Sequence, residues 1–363
     1  MDIRVLLFAD SHLGFDLPVR ARSDRRRRGH DFLANHSAAL APAMNGEVDL
    51  VVHAGDVFNR SSVVKSLAYQ AYEPLLRVAD RGIPVFIVPG NHERSRLPHS
   101  RFLVHPNVHV FDRPRTFVAD VRGCSIALSG FPYERDDVRT KFADLVERTE
   151  WRSMPAVHRL LCIHHCVEGA TVGPGDYTFT TASDVIRLRQ VPPQFAAVLT
   201  GHVHRHQVLI TDLERRALGT PVLYPGSIER TSFAEIDEPK GFMILRLGAE
   251  TKLQWEFTQL PARPMIRHEL DANTLDAHAL DAAIRTIVRE APTDAVMSIR
   301  VAGTLTPAHW RAFSSARLRE FVPQTMNVDV VPADGFDHAA AFSSPHAIQR
   351  ITERSPSAQL SFY

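Results

Sequence analysis

Five segments of this 363-residue chain end an apolar run in Asp, Asn or His. "LLFADSH" ends in Asp10 and His12, "LVVHAGD" in Asp56, "FIVPGNH" in Asn91 and His92, "LLCIHH" in His164 and His165, and "AVLTGHVH" in His202 and His204. In α/β sheets, ligands bind in the crevice beyond the carboxyl ends of the strands. Carboxylate, amide and imidazole donors gathered there suit a pair of divalent cations. Two cations close together repel, so a carboxylate must lie between them, and neutral imidazoles and oxygens complete the two shells. A set without thiolate favours Mn, Fe or Zn over Ca or Mg. Asp10-x-His12 and His202-x-His204 each project two donors from one short segment. Asp56 and Asn91 each follow a glycine, where the backbone can turn sharply and approach closely. A lone D-x-H is commonplace, and one histidine at a strand end is more often hydrogen-bonded than ligating. Five such ends in order set that reading aside.

The elements that must position these residues are legible as periodicity. "IRVLLFA", "DLVVHA" and "PVFIV" read as strands, separated by the helices "HDFLANHSAALAPAMN" and "SLAYQAYEPLLRVADRG". Continuous apolar strands alternating with helices imply βαβ crossovers and a parallel sheet covered on both faces. Strands follow at "NVHVF", "TFVAD" and "SIALSGF", then a helix near residues 137–150, then "RLLCI", "AAVLT", "PVLYP", "GFMILRL" and "LQWEFT". That density predicts an α/β fold of two sheets packed face to face with helices outside. Composition shifts at "LPARPMIRHEL", where two prolines flank a turn. A helix, strand, helix, strand pattern beyond it predicts a small α/β domain. The expected division is 1–258, 259–334 and a tail at 335–363.

"ADSHLG", "AGDVF", "GNHE", the "HH" after a strand and "GHVH" together resemble the calcineurin-like metallophosphoesterase superfamily, over residues 1 to about 258. "DSHLG", "GDVF" and "YPGSIERTSFAE" followed by "KGFMILRL" are similar to its DNA repair exonuclease branch, the SbcD-like nuclease subunits. The resemblance implies a two-sheet metallophosphoesterase sandwich with a capping domain. It implies two divalent metal ions, Mn2+ first with Fe or Zn as alternatives. Asp10, His12 and His204 would hold one, Asn91, His164 and His202 the other, and Asp56 would bridge them. His92 would be the catalytic residue that meets the phosphate and the leaving oxygen. The implied activity is that of a metal-dependent DNA phosphodiesterase, exonuclease or endonuclease, in DNA repair. Its expected partners are DNA, an SMC-like coiled-coil ATPase and, as an open alternative, a second copy of the chain. A small-molecule phosphodiesterase or phosphatase, and a non-catalytic scaffold binding DNA or a partner, are the rival readings. One departure stands out: the second helper histidine that archaeal and eukaryotic members carry three residues after the bridging aspartate is here Asn59, a position where bacterial SbcD-like chains often lack histidine too. That leaves the balance of exonuclease and endonuclease action open.

Other residues admit plainer readings. His53 lies inside a strand and reads as packed, and His165 competes with His164 because adjacent strand residues face opposite ways. His206 is either close to the ligands or exposed. Glu93 either orients His92 or faces water. Cys162 and Cys166 read as small core residues, and three cysteines without a C-x-x-C pair imply a reducing compartment. Lys plus Arg number 42 and Asp plus Glu 41, so any basic surface is local. The run "VRARSDRRRRGH" is the local candidate: Arg25, Arg26, Arg27 and Arg28 either line a solvated loop or contact DNA phosphates. The N-terminal apolar run is too short for a membrane span, so the expectation is a cytoplasmic protein with no membrane partner.

Overall fold

The computed structural model describes residues 2–17, 25–248 and 253–333. In strand Ile3–Phe8, Ile3, Val5 and Leu7 join an apolar cluster with Leu50, Val52, Phe86 and Val88. Leu6 and Phe8 are equally buried on the other face. A strand buried on both faces has no polar side to alternate, which is why the run is apolar throughout. It lies in a six-stranded sheet ordered Gln254–Gln259, Gly241–Leu247, Ile3–Phe8, Leu50–His53, Val85–Ile87, Val108–Val110. The last four are parallel, and the first two pair antiparallel with their neighbours.

A second six-stranded sheet is ordered Gln207–Thr211, Ala217–Tyr224, Ala197–Thr200, His158–Ile163, Cys124–Gly130, Arg115–Val121. Its inner four strands are parallel and its outer two antiparallel. Ile126, Leu128, Leu160, Cys162, Leu199 and Leu223 complete the cluster begun by the first sheet, so the two sheets share one core. Leu161, Ile163, Val198 and Val222 face the other way and pack with Phe142, Leu145 and Val146 of helix Val138–Glu147.

Helices Arg28–Ala39 and Lys65–Asp80 bury faces at helical spacing, Phe32, His36 and Ala39 in one, Ala68, Ala71, Tyr72 and Leu75 in the other. The first of these is shorter than its pattern predicts. It ends at Ala39, and a separate turn Ala41–Met44 follows, because Pro42 has no N–H to continue the ladder and suits a helix start.

The chain forms two units. In its described residues the first holds 2–16, Arg28–Arg230 and Asp237–Ala262, and the second holds Leu17, 25–27, Thr231–Ile236 and 263–333. The second unit is built on three parallel strands, Met265–Asp271, Val296–Ala302 and Asn327–Pro332. Helix Ala277–Glu290 buries Leu280, Ile284 and Val288 in this unit's own core. The strand Met265–Asp271 begins directly after the turn flanked by Pro261 and Pro264, where the sequence reading places no strand. The helix expected over "TPAHWRAFSSARLREF" is two, Pro307–Ala312 and Ser315–Arg319, because Ser314 accepts a hydrogen bond from Arg317 N and starts a new one. The expected tail, 335–363, and Arg20 and Arg22 of the basic run lie outside the described residues.

Candidate metal centre

The turns after five strands meet in one cleft of the first unit. Asp10, His12, Asp56 and His164 are almost wholly buried. His12 Nε2 and His204 Nε2 lie 2.8 Å apart, and His12 Nε2 is 4.0 Å from Asp10 Oδ1 and 3.8 Å from Asp56 Oδ2. On the other side, Asn91 Oδ1 is 3.0 Å from His164 Nε2 and 2.9 Å from His202 Nδ1. His164 Nε2 is 3.4 Å from Asp56 Oδ2 and 3.9 Å from Asp10 Oδ1. Asp56 therefore stands between two groups of donors. Nitrogen and oxygen donors converging on a central carboxylate, with no thiolate among them, fit two divalent cations.

The turns are tight because glycine lets them be. A Cβ on Gly55 would fall 2.1 Å from His164 Nδ1, and one on Gly90 would fall 2.2 Å from Asp56 Oδ1. Four of the donors themselves adopt left-handed backbone: Asp10 (φ 50°), His12 (φ 42°), Asp56 (φ 54°) and His202 (φ 79°). Each such residue costs about 1–3 kcal/mol and persists only where its surroundings over-determine it. Backbone hydrogen bonds contribute, from Asp10 N to Gly55 O at 2.9 Å and from His12 N to Asp56 O at 3.0 Å. Both Asp10 carboxylate oxygens accept from His202 N at 3.1 Å.

Electrostatics follow from burial and this crowding. Burial opposes ionisation of Asp56, yet His164, His92 and His12 outweigh it and hold the carboxyl well below the usual range. Burial likewise opposes charge on His164, and the Asp56 and Asp10 carboxylates overcome it, raising His164 to about 9. Asp10 moves the other way, raised by burial.

His92 lies at the rim of the donor groups, its ring 4.6 Å from that of His12 and its donor atom grouped with those of His12 and Asp56. Its Nδ1–H donates to the Asn59 carbonyl at 2.9 Å, its Nε2 is 3.9 Å from Asp56 Oδ2, and its side chain is 20% exposed. The Asn59 backbone thus orients His92 whatever side chain position 59 carries.

The model of the calcineurin-like phosphoesterase family matches residues 3–206, more than half of the chain. The chain belongs to that family. Among its relatives is the DNA double-strand break repair protein Mre11 of Thermoplasma acidophilum, 25% identical over 73% of this chain and 68% of its own. The Mre11 of Methanosarcina acetivorans is 27% identical over 81% of this chain but only 45% of its own length. A subunit of the nuclease SbcCD of Bacillus subtilis is 24% identical over 73% of this chain and 72% of its own.

Within this phosphoesterase site, neighbouring residues take definite places. His165 turns away from the cleft: its Nε2 accepts from Glu134 N at 2.9 Å, and its ring stacks on Tyr133 at 4.9 Å and 14°. Tyr133 also lies 5.6 Å from the His202 ring, a position no motif signals. Glu93 does not face water. It is 1% exposed and accepts from Phe58 N at 2.7 Å and Gly90 N at 2.8 Å, bracing two of the turns, and burial pushes it up to about 8. His206 donates through Nδ1 to the Tyr224 carbonyl at 3.0 Å and stacks on Phe257, outside the donor set. Lys240 is buried, and its ammonium donates to the His204 carbonyl and to Glu238, each at 2.9 Å. A lysine beside the apolar run "GFMILRL" is the only sequence trace of that support.

The arginine run is divided between the units. Arg28 is 2% exposed in the first, its guanidinium pairing with Asp31 at 3.1 Å and Glu229 at 3.2 Å and donating to the Arg230 carbonyl at 2.8 Å. Arg25 belongs to the second, where it donates to the carbonyls of Val322 and Pro323 at 3.2 and 3.0 Å. Arg26 is exposed and Arg27 half-exposed. Among the described residues no helix is long and apolar enough to cross a membrane.

Proposed function

We propose that this chain is a dinuclear-metal-dependent DNA phosphodiesterase acting in repair, with Mn2+ as the resident ion. The observation that carries the chemistry is the meeting of Asp10, His12, Asp56, Asn91, His164, His202 and His204 at one central carboxylate. Relatives named as double-strand break repair and SbcCD nuclease proteins support DNA as the substrate. Asp10, His12 and His204 would hold one cation, Asn91, His164 and His202 the other, with Asp56 shared. Bound there, the cations would lower the pKa of water and offset charge on the phosphoryl oxygens.

The chain's own residues do the rest. The Asn59 carbonyl holds His92 by Nδ1, so Nε2 faces the site and would deliver a proton to the leaving alkoxide. Glu93 ties the Phe58 and Gly90 turns together and keeps Asp56 and Asn91 in register. Exposed Arg26 would contact backbone phosphate, and the second unit and the tail would engage duplex DNA or an SMC-like ATPase.

The test uses the full chain with Mn2+ on end-labelled duplex DNA, beside mononucleotides and chromogenic phosphate esters. DNA cleavage that disappears in Asp56→Ala, together with its bound metal, is the expected result. Hydrolysis of small esters with DNA left intact would return the site to a small-molecule phosphoesterase.

A further inference from the structure

Behind the cleft runs a buried chain of hydrogen bonds that includes none of the donors above. Its direction follows from the atoms at its two ends. Gly55 N–H lies 3.3 Å from His53 Nδ1. A backbone N–H only donates, so Nδ1 accepts and, in a neutral ring, Nε2 carries the hydrogen. That Nε2 is 2.8 Å from Ser11 Oγ and donates to it. At the far end, His36 Nε2 is 3.0 Å from the Ala71 carbonyl, which only accepts, so Nε2 is a donor and Nδ1 an acceptor. His36 Nδ1 lies 3.2 Å from Ser11 Oγ and takes the hydroxyl hydrogen.

Every ring nitrogen in the chain is used, and only one set of tautomers satisfies it. Ser11, His36 and His53 are all fully buried. Burial keeps both imidazoles neutral, His36 lowered to about 4 and His53 well below the ordinary histidine range. The Phe8 ring lies 4.5 Å from that of His53 and 5.7 Å from that of His36, so an unmet polar atom here would be costly. Apolar side chains would fill this space at no such cost. The polar chain therefore asks for a reason.

The reason is where it attaches. Ser11 lies between Asp10 and His12, both held in left-handed backbone that residues with a Cβ avoid. Backbone bonds to Gly55 and Asp56 hold this segment from one side. From the other, the Ser11 hydroxyl links it through His36 to helices Arg28–Ala39 and Lys65–Asp80. The chain's opposite end is Gly55, immediately before the central carboxylate.

We propose that His36, Ser11 and His53 are a positioning relay, in which the Ser11 hydroxyl, oriented by two imidazoles of fixed tautomer, holds the Asp10–His12 turn ready to receive a cation. This rests on the metal reading of the cleft. It concerns the Asp10, His12 and His204 group in particular, since the turn that Ser11 holds carries two members of that group, Asp10 and His12, and none of Asn91, His164 and His202.

The test compares two substitutions of one residue. In His53→Gln the amide nitrogen reaches the place of Nε2 and still donates to Ser11. In His53→Asn the side chain reaches only the place of Nδ1, keeps Gly55 and leaves Ser11 without its donor. Mn2+ binding to the chelator-stripped full chain is measured by calorimetry, with thermal unfolding of each metal-free form. Wild type binds two ions, and His53→Gln keeps both, while His53→Asn and Ser11→Ala weaken one site by about 10–100-fold and spare the other. Equal affinities for the Gln and Asn variants would overturn the relay, as would equal weakening at both sites. A lowered melting temperature in His53→Asn with both Mn2+ affinities unchanged would reduce these residues to core packing. A wild-type chain that binds no Mn2+ would remove the metal reading itself, and the relay with it.

Discussion

Asn91 and His92 are neighbours with different surroundings. The Asn91 amide oxygen sits between two imidazole nitrogens, whereas His92 is turned to the Asn59 carbonyl and the open side of the cleft. His92→Ala should keep both metals and lose about 10²–10⁴ in turnover, measured by elemental analysis and steady-state kinetics on DNA. Asn91→Ala should lose occupancy of one metal. A metal lost from His92→Ala but not from Asn91→Ala would exchange the two roles. His36 allows a prediction in pH. Its folded pKa of about 4 lies below its ordinary 6.5, so the folded chain binds fewer protons than the unfolded one. Its contribution is complete above pH 6.5 and is lost as the pH falls from there to about 4, at most about 3 kcal/mol. The metal-free chain should therefore melt at lower temperature across that window. His36→Asn should show a shallower fall, and an identical one would mean that His36 does not titrate with unfolding.

At the scale of the elements, the glycines before the donors decide how closely the turns approach. Gly55 has φ 103° and space for no side-chain atom, since a Cβ would meet His164 Nδ1, the atom that donates to the Ala54 carbonyl at 2.7 Å. Gly55→Ala should abolish metal binding, with a loss of stability seen in thermal unfolding. Gly46 also has positive φ, 74°, but nothing within 4 Å. Gly46→Ala should cost only about 1–2 kcal/mol for its backbone and leave both metals bound. If both substitutions behave alike, crowding at Gly55 is not what shapes the site. The strands that carry these turns were legible because burial on both faces writes an unbroken apolar run. The helices were less so: Pro42 and the Ser314 cap divide two of them where apolar spacing continues.

Over the whole molecule, the arginine run shows that one charge pattern can hold several fates. Arg28→Ala would remove the buried guanidinium that pairs with Asp31 and Glu229, at a cost of about 3–5 kcal/mol. Thermal unfolding would show this whether or not DNA is present. Arg26→Ala should reduce the salt dependence of duplex binding by about 0.9 in log–log slope. An unchanged slope would make Arg26 a solvated residue. No composition count separates these cases, because the partners of Arg28 lie 3 and 201 residues away.

The donors, their order and the strands that present them follow from the sequence alone, since local burial sets the apolar runs and donor chemistry limits the residue types that can end them. Family resemblance rests on the same short segments. Tertiary structure decided which of His164 and His165 enters the cleft, because alternation separates their faces without saying which one meets the other turns. It also decided that Glu93 braces two turns, that Lys240 supports His204, and that His36 and His53 join through Ser11 across 25 and 42 residues. The physical reason is range. Periodicity records each residue's relation to neighbours two to four positions away, whereas His12 and His204, 192 residues apart, are brought to 2.8 Å by the packing of two sheets.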